Sequence, residues 1–201
     1  MNYSEIRQEA RGLLQNLWTP LIPIWFVFFL ISFGVQSIFG EKGAFLAFAT
    51  NLIIGGPLLM GIVRIFLRIW NKEAFEIGNL FDGFKEFSRT LSAYLLIALY
   101  VFLWSLLLII PGIIAALGYS MTFFIMAEDP SITASDAMQK SKQMMFGHKT
   151  ELFMLGLSFL GWMILAAIPM GIGFLWLNSY MYMSFTIFYQ RIKGQPDTVI
   201  S

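Results

Sequence analysis

Residues 91–127 read LSAYLLIALYVFLWSLLLIIPGIIAALGYSMTFFIMA and contain no charged side chain. As one straight helix they would run about 55 Å at ~1.5 Å per residue, nearly twice a hydrocarbon core of about 30 Å. The stretch must therefore fold back on itself. Its backbone interruption is Pro111-Gly112, where Pro removes a donor and crowds the preceding turn while Gly tolerates the conformations of a reversal. The pattern predicts a transmembrane hairpin with helices near 91–110 and 112–128. Residues 152–189 are likewise free of charge and need two passes, with the reversal expected at Pro169-Met170-Gly171-Ile172-Gly173.

The rest of the chain carries too little polarity for a water-soluble fold. Hydrophobic residues make up 58% and charged residues only 12%, against about 25% charged in globular domains. The class is a polytopic, all-α membrane protein. A net charge of +1 with balanced signs gives no basic surface for nucleic acid. No stretch is long enough for a separate soluble domain, so residues 1–201 are expected to form one membrane domain. There is no cysteine, which excludes disulfides, thiolate metal sites and cysteine nucleophiles. The N-terminus mixes acids with bases and leads to no small-residue cleavage site, so the first span is expected to be retained.

Residues 3–17 place Tyr3, Ile6, Ala10, Leu13 and Leu17 on one helical stripe, the pattern of an amphipathic helix lying in the membrane interface. Residues 21–39 form a first span, Glu41-Lys42 a polar turn, and residues 44–70 a longer second span that Gly55-Gly56-Pro57 is expected to bend. Residues 71–90 carry seven charges, yet Ile77, Leu80, Phe81, Phe84, Phe87 and Leu91 recur at helical spacing, so a second interfacial helix is expected there, weakened by Gly78 and Gly83. After the hairpin, Ser131 is the expected cap of a third amphipathic helix with Ala134, Met138, Ser141 and Met145 on one stripe. Trp104 precedes Pro111 by seven residues and Trp162 precedes Pro169 by seven; Tyr119-Ser120-Met121 is answered by Ser179-Tyr180-Met181. The expected architecture is six spans as three hairpins, each preceded by an interfacial amphipathic helix, with repeats over 3–70, 75–128 and 132–192.

No constellation for chemistry is visible. The spans lack a central charge, so the proton relays of ion-coupled pumps are absent from this reading. His148, the only histidine, has no partners at catalytic or metal-ligand spacing and reads as an interface residue. Glu128 and Asp129 are sequence neighbours that project in different directions, which suits a helix end at headgroup level better than an acid–base pair. No catalytic residue, metal or cofactor is assigned, and the protein is read as a non-enzyme. Asn51, Tyr119, Ser120, Asn178 and Tyr180 form the candidate ligand-binding set, because three of them reach similar depths on separate helices. Gln36 and several serines read as interhelical hydrogen-bonding groups. Arg7, Arg11, Lys140, Lys142, His148 and Lys149 are the candidate membrane-interface residues, suited to an anionic cytoplasmic leaflet.

At Lys140-Ser141, Met144-Met145, Gly147-His148-Lys149, Leu152-Phe153 and Ser158-Phe159-Leu160-Gly161-Trp162 the chain resembles the bacterial integral-membrane family called domain of unknown function 975. Ile110-Pro111-Gly112, Tyr119-Ser120 and Phe188-Tyr189 look like further marks of it. Ser179 stands where the family often has Pro. The family is distantly similar to the membrane domain attached to some glycerophosphodiester phosphodiesterases, which implies a non-catalytic, lipid-associated module in the bacterial cytoplasmic membrane.

Two functions follow as expectations: a module binding membrane lipids or other membrane proteins, or a small permease or export and immunity accessory for an amphipathic molecule. Neither ligand nor oligomeric state is specified by the residues. Charge predicts orientation. Twelve of the thirteen Lys and Arg fall at the N-terminus, in 64–90, in 128–149 or after 190, leaving Lys42 alone on the other side. Both termini are therefore expected to be cytoplasmic. Single cysteines placed on this cysteine-free background should label at Lys42 only from outside and at Lys85 and Lys142 only from inside; opposite-face labelling of Lys85 and Lys142 would remove the hairpin model.

Overall fold

A computed structural model describes residues 2–39, 43–169 and 171–194. Among these residues every regular element is helical: α1 (Tyr3–Leu14), α2 (Trp18–Phe39), α3 (Ala44–Trp70), a 3₁₀ helix (Ile77–Glu86), α4 (Phe87–Leu107), α5 (Ile109–Tyr119), α6 (Thr122–Glu128), α7 (Ala134–Met144), α8 (Lys149–Leu157), α9 (Leu160–Ala167) and α10 (Phe174–Lys193). Glu41, Lys42 and Met170, and the side chain of Gln36, lie outside the described residues.

Five segments are long and apolar enough to cross a membrane: Trp18–Val35, Ala44–Trp70, Ile77–Leu107, Ile109–Glu128 and Lys149–Ala167. The sixth expected span, α10, is not among them. It is long enough at 20 residues, but Asn178, Ser179, Tyr180, Tyr182, Ser184, Thr186 and Gln190 lower its hydropathy. The fold accounts for these polar groups by burial, because α10 packs against α1, α2, α3 and α9 and fully covers Ser179, Ser184 and Thr186. Ser184 and Thr186 donate to their own helix at Tyr180 O and Tyr182 O, so neither hydroxyl is left unpaired in the interior.

The reversal expected at Pro111-Gly112 lies three residues earlier. Leu108 is extended (φ −163°, ψ 152°) between α4 and α5, and Gly112 comes back against Ser105, where a Cβ would collide with the Ser105 side chain. Pro111 sits inside the first turn of α5, where its missing N–H is one that the helix could not pair anyway. It starts a helix here. The segment expected as one helix over 112–128 is also broken, at Ser120-Met121 between α5 and α6. Ser141 of α7 bridges that break by donating to Gly118 O at 2.8 Å and accepting from Met121 N–H at 3.1 Å. Its neighbour α7 is capped by Thr133, whose side chain accepts from Asp136 N–H, and not by Ser131, which bonds Asp129. The last reversal lies between α9 and α10, with Gly171 in the left-handed region at φ +85°.

Two of the three amphipathic segments, α1 and α7, are covered by protein on the faces expected to meet lipid, whereas the 3₁₀ helix with the start of α4 buries Leu80 and leaves Ile77, Phe81, Phe84 and Phe87 exposed. In α1, Ile6, Ala10 and Leu14 are buried, and in α7, Ala134, Met138 and Ser141 are buried, as is Met145 just beyond it. Each lies along another helix: α1 on α10, the 3₁₀ helix on α3, and α7 on α6. The 3₁₀ helix makes the closest of these approaches, because Gly61 faces the Leu80 carbonyl and Gly83 faces the Pro57 carbonyl with no room for a Cβ at either. Gly83, expected to weaken this segment, instead lets two backbones meet. Helix α3 itself runs unbroken through Pro57.

Charge reinforces the same junction. Arg64 pairs with Glu86 at 2.6 Å, Lys85 pairs with Asp82 at 2.7 Å, and Arg68 lies 3.7 Å from Asp82. Arg89 pairs with Glu86 and donates to the carbonyls of Met126, Asp129 and Ile132. It thereby closes the end of α6 and the loop that follows, in which two hydrogen bonds from Ser131 hold the Asp129 carboxyl below its usual range. Glu128 turns the other way, accepting from Tyr189 Oη, Gln190 Nε2 and Lys193 Nζ of α10. The glycine contacts give a stability prediction. Gly61→Ala should destabilise the fold by about 1–3 kcal/mol, since the obstructing atoms are backbone and cannot swing aside. Gly78→Ala, with open space around it, should leave the unfolding temperature in detergent nearly unchanged.

Candidate functional site

The end of α1, the start of α2 and the α9–α10 pair enclose an open cleft of about 710 Å³. That volume falls in the range of about 300–1,000 Å³ typical of small-molecule sites. Trp18, Trp162, Trp176, Leu165, Leu177 and Tyr180 supply most of its wall. Its polar lining comes from Arg11 and Gln15, and among the described residues no Asp or Glu lines it. Gly173 lets the walls meet at the back of the cleft, pressed against Ala166 where a Cβ would clash at 2.6 Å.

Arg11 is held in the cleft by aromatic faces. Its guanidinium carbon lies 5.5 Å from the Trp162 ring centre and 5.3 Å from that of Tyr180, within the range of a cation–π contact. The Tyr180 ring is itself fixed edge-on by buried Phe159 at 5.1 Å. Among the described residues Arg11 has no carboxylate partner and no hydrogen bond, in contrast to the other arginines: Arg7 donates to Ser158 O, and Arg64, Arg68, Arg89 and Arg191 each meet an acid. A planar fork of five donors is left facing the cleft.

Of the five residues expected to gather a ligand, Tyr180 lines this cleft and the other four do not. Asn51 donates to Ala47 O within α3, and Ser120 donates to Leu117 O at the α5–α6 break. Tyr119 packs on Tyr100 with ring centres 6.0 Å apart. Asn178 is half-buried on α10. Its neighbour Ser179 is fully buried and accepts from Trp25 Nε1 at 2.8 Å, tying α2 to α10, and α10 continues straight through this position. Among the residues expected at the membrane interface, Lys140 and Lys142 are exposed, while Arg7 turns inward to the Ser158 carbonyl at 3.3 Å. Lys149 is half-buried at the start of α8. His148 occupies the position before that start, with Nδ1 2.8 Å from Glu151 Oε2. Sequence reasoning placed Arg11 at an interface and treated Trp162 as a repeat mark. What it missed was their convergence, which depends on α1 folding back along α10, a contact between opposite ends of the chain.

An all-helical bundle with five membrane-length apolar helices defines a helical membrane protein. The chain belongs to the family described as "Protein of unknown function (DUF975)", whose model matches residues 1–117 and 105–196. No curated protein and no solved structure matches it.

Proposed function

We propose that this chain is a non-enzymatic, six-span module of the bacterial cytoplasmic membrane that binds membrane lipid, with both termini cytoplasmic. Its units are residues 3–70, 75–128 and 132–192, each an amphipathic helix followed by a hairpin. Support for the three units comes from their packing. Each amphipathic element lies on the last helix of the unit before it, the 3₁₀ helix on α3 and α7 on α6, and α1, having none before it, lies on α10.

The observation that carries the lipid reading is the filling of the bundle's middle. Helices α3, α6 and α10 meet there through Met60, Phe66, Phe124, Met126, Met183 and Ile187, all buried, with Phe124 stacked on Tyr189 at 5.1 Å. Apolar filling at these positions supports a closed bundle over the polar path that a permease would need. On the outside, Phe102, Leu106, Leu107, Leu108, Ile109 and Ile110 stand exposed around the α4–α5 reversal, a surface suited to acyl chains. The 3₁₀ helix and the start of α4 add a ridge of Ile77, Phe81, Phe84 and Phe87 beside their ion pairs, apolar and charged groups side by side as at a membrane interface.

Extraction from native membranes in a polymer that retains the lipid annulus tests this reading. After washing into mild detergent, bound lipid should persist at a defined ratio to protein. Recovery of a stoichiometric polypeptide without lipid would redirect the function to partner binding, and protein-dependent efflux of an amphipathic dye from reconstituted vesicles would favour the permease.

A further inference from the structure

Building on the lipid-binding reading, we propose that the cleft between α1, α9 and α10 is a site for one anionic phospholipid. The Arg11 guanidinium meets its phosphate, and an acyl chain lies along Trp162, Leu165 and Trp176.

Charge complementarity selects the headgroup. Arg11 is the arginine that the fold leaves unpaired among the described residues. The two rings beneath it fix its position but accept none of its N–H groups in the plane, so the fork is preorganised for two phosphate oxygens. Gln15, four residues on, adds an amide at the same end of the cleft. A zwitterionic headgroup brings its own ammonium, and with no Asp or Glu among the described residues of the lining that group meets no acid there and lies beside a like charge. An anionic lipid has no such cost.

Shape selects an amphiphile over a small anion. A free phosphate would satisfy Arg11 but leave Leu165, Trp162 and Trp176 uncovered, and these are 58%, 43% and 43% exposed. One molecule with an anionic end and an apolar body matches both parts of the wall. The indole rings, apolar with one N–H donor each, suit the level where headgroup gives way to chain.

The test uses the full chain reconstituted in vesicles of mixed phosphatidylglycerol and phosphatidylcholine, extracted in mild detergent and examined by native mass spectrometry. Wild-type protein should retain one phosphatidylglycerol in preference to phosphatidylcholine. Arg11→Gln should lower that retention about tenfold or more, the loss of a charge-assisted contact. Trp176→Ala, which keeps the charge and removes part of the chain wall, should lower it as well. Lys72→Gln, at an exposed lysine outside the cleft, should have no effect. Thermal unfolding checks each variant, and Arg11→Lys, which keeps the charge and loses the fork, replaces Arg11→Gln if that protein does not fold; it too should retain less. Equal retention of the two lipids, or undiminished phosphatidylglycerol on the cleft variants, overturns this site while lipid binding elsewhere stands. A wild-type protein that retains no lipid at all overturns both readings.

Discussion

Inside hydrocarbon a backbone group has no water to turn to, so every interruption of a helix must be repaired by another part of the protein. This constraint organises the structure. Three interruptions are repaired by side chains from elsewhere in the chain. Ser141 bridges the α5–α6 break, Arg7 meets the Ser158 carbonyl at the α8–α9 break, and Arg89 covers the Met126, Asp129 and Ile132 carbonyls where α6 ends. Two of these repairing residues belong to amphipathic helices, α1 and α7, and the third stands in the first turn of α4. The Nε of Arg89 is left buried without a partner. That loss is small beside the four oxygens the same guanidinium satisfies.

Seen this way, the amphipathic helices are structural wedges as much as membrane anchors. A helix that only floated at the interface would turn its apolar stripe toward lipid. Here Ile6, Ala10 and Leu14 of α1 are enclosed by protein, and their helix is pinned by Arg191, which pairs with Glu9 near its middle at 2.7 Å and lies 3.9 Å from Glu5 in its first turn. The 3₁₀ helix divides its apolar residues between two tasks: Leu80 enters the core, while Phe81 and Phe84 remain outside. Its ten residues are too few to cross the membrane, yet with α4 they form one apolar segment from Ile77 to Leu107.

The sequence made the helical class and most helix positions legible, because uncharged stretches and charge clusters are one-dimensional signals. It misplaced the central reversal because Pro has two meanings: it ends a helix from within, or it occupies a first turn at no loss of hydrogen bonding. Pro111 takes the second. The stripes of α1 and α7 were assigned to the wrong neighbour, since periodicity reports that a face is apolar and not whether lipid or protein covers it, while that of the 3₁₀ helix and the start of α4 keeps Ile77, Phe81, Phe84 and Phe87 exposed. Polar residues of α10 gave a similar ambiguity. Ser179 and Tyr180 stand side by side in the sequence, and Ser179 serves packing through Trp25 while Tyr180 faces the cleft.

The same reasoning explains why Arg11 was recognisable only in three dimensions. All six arginines lie near the expected ends of apolar segments, and composition gives each the same role. The fold separates them by supplying carboxylates or carbonyls to five and aromatic faces to one. A guanidinium used for packing gains most when its donors are spent within the protein, as those on Nη1 and Nη2 of Arg89 are. Stacking on Trp162 and Tyr180 holds the cation in place and spends none of them. The residue is thus fixed in position while its hydrogen-bonding capacity is kept for something outside the chain, and in a membrane the abundant anion with an apolar body is a lipid.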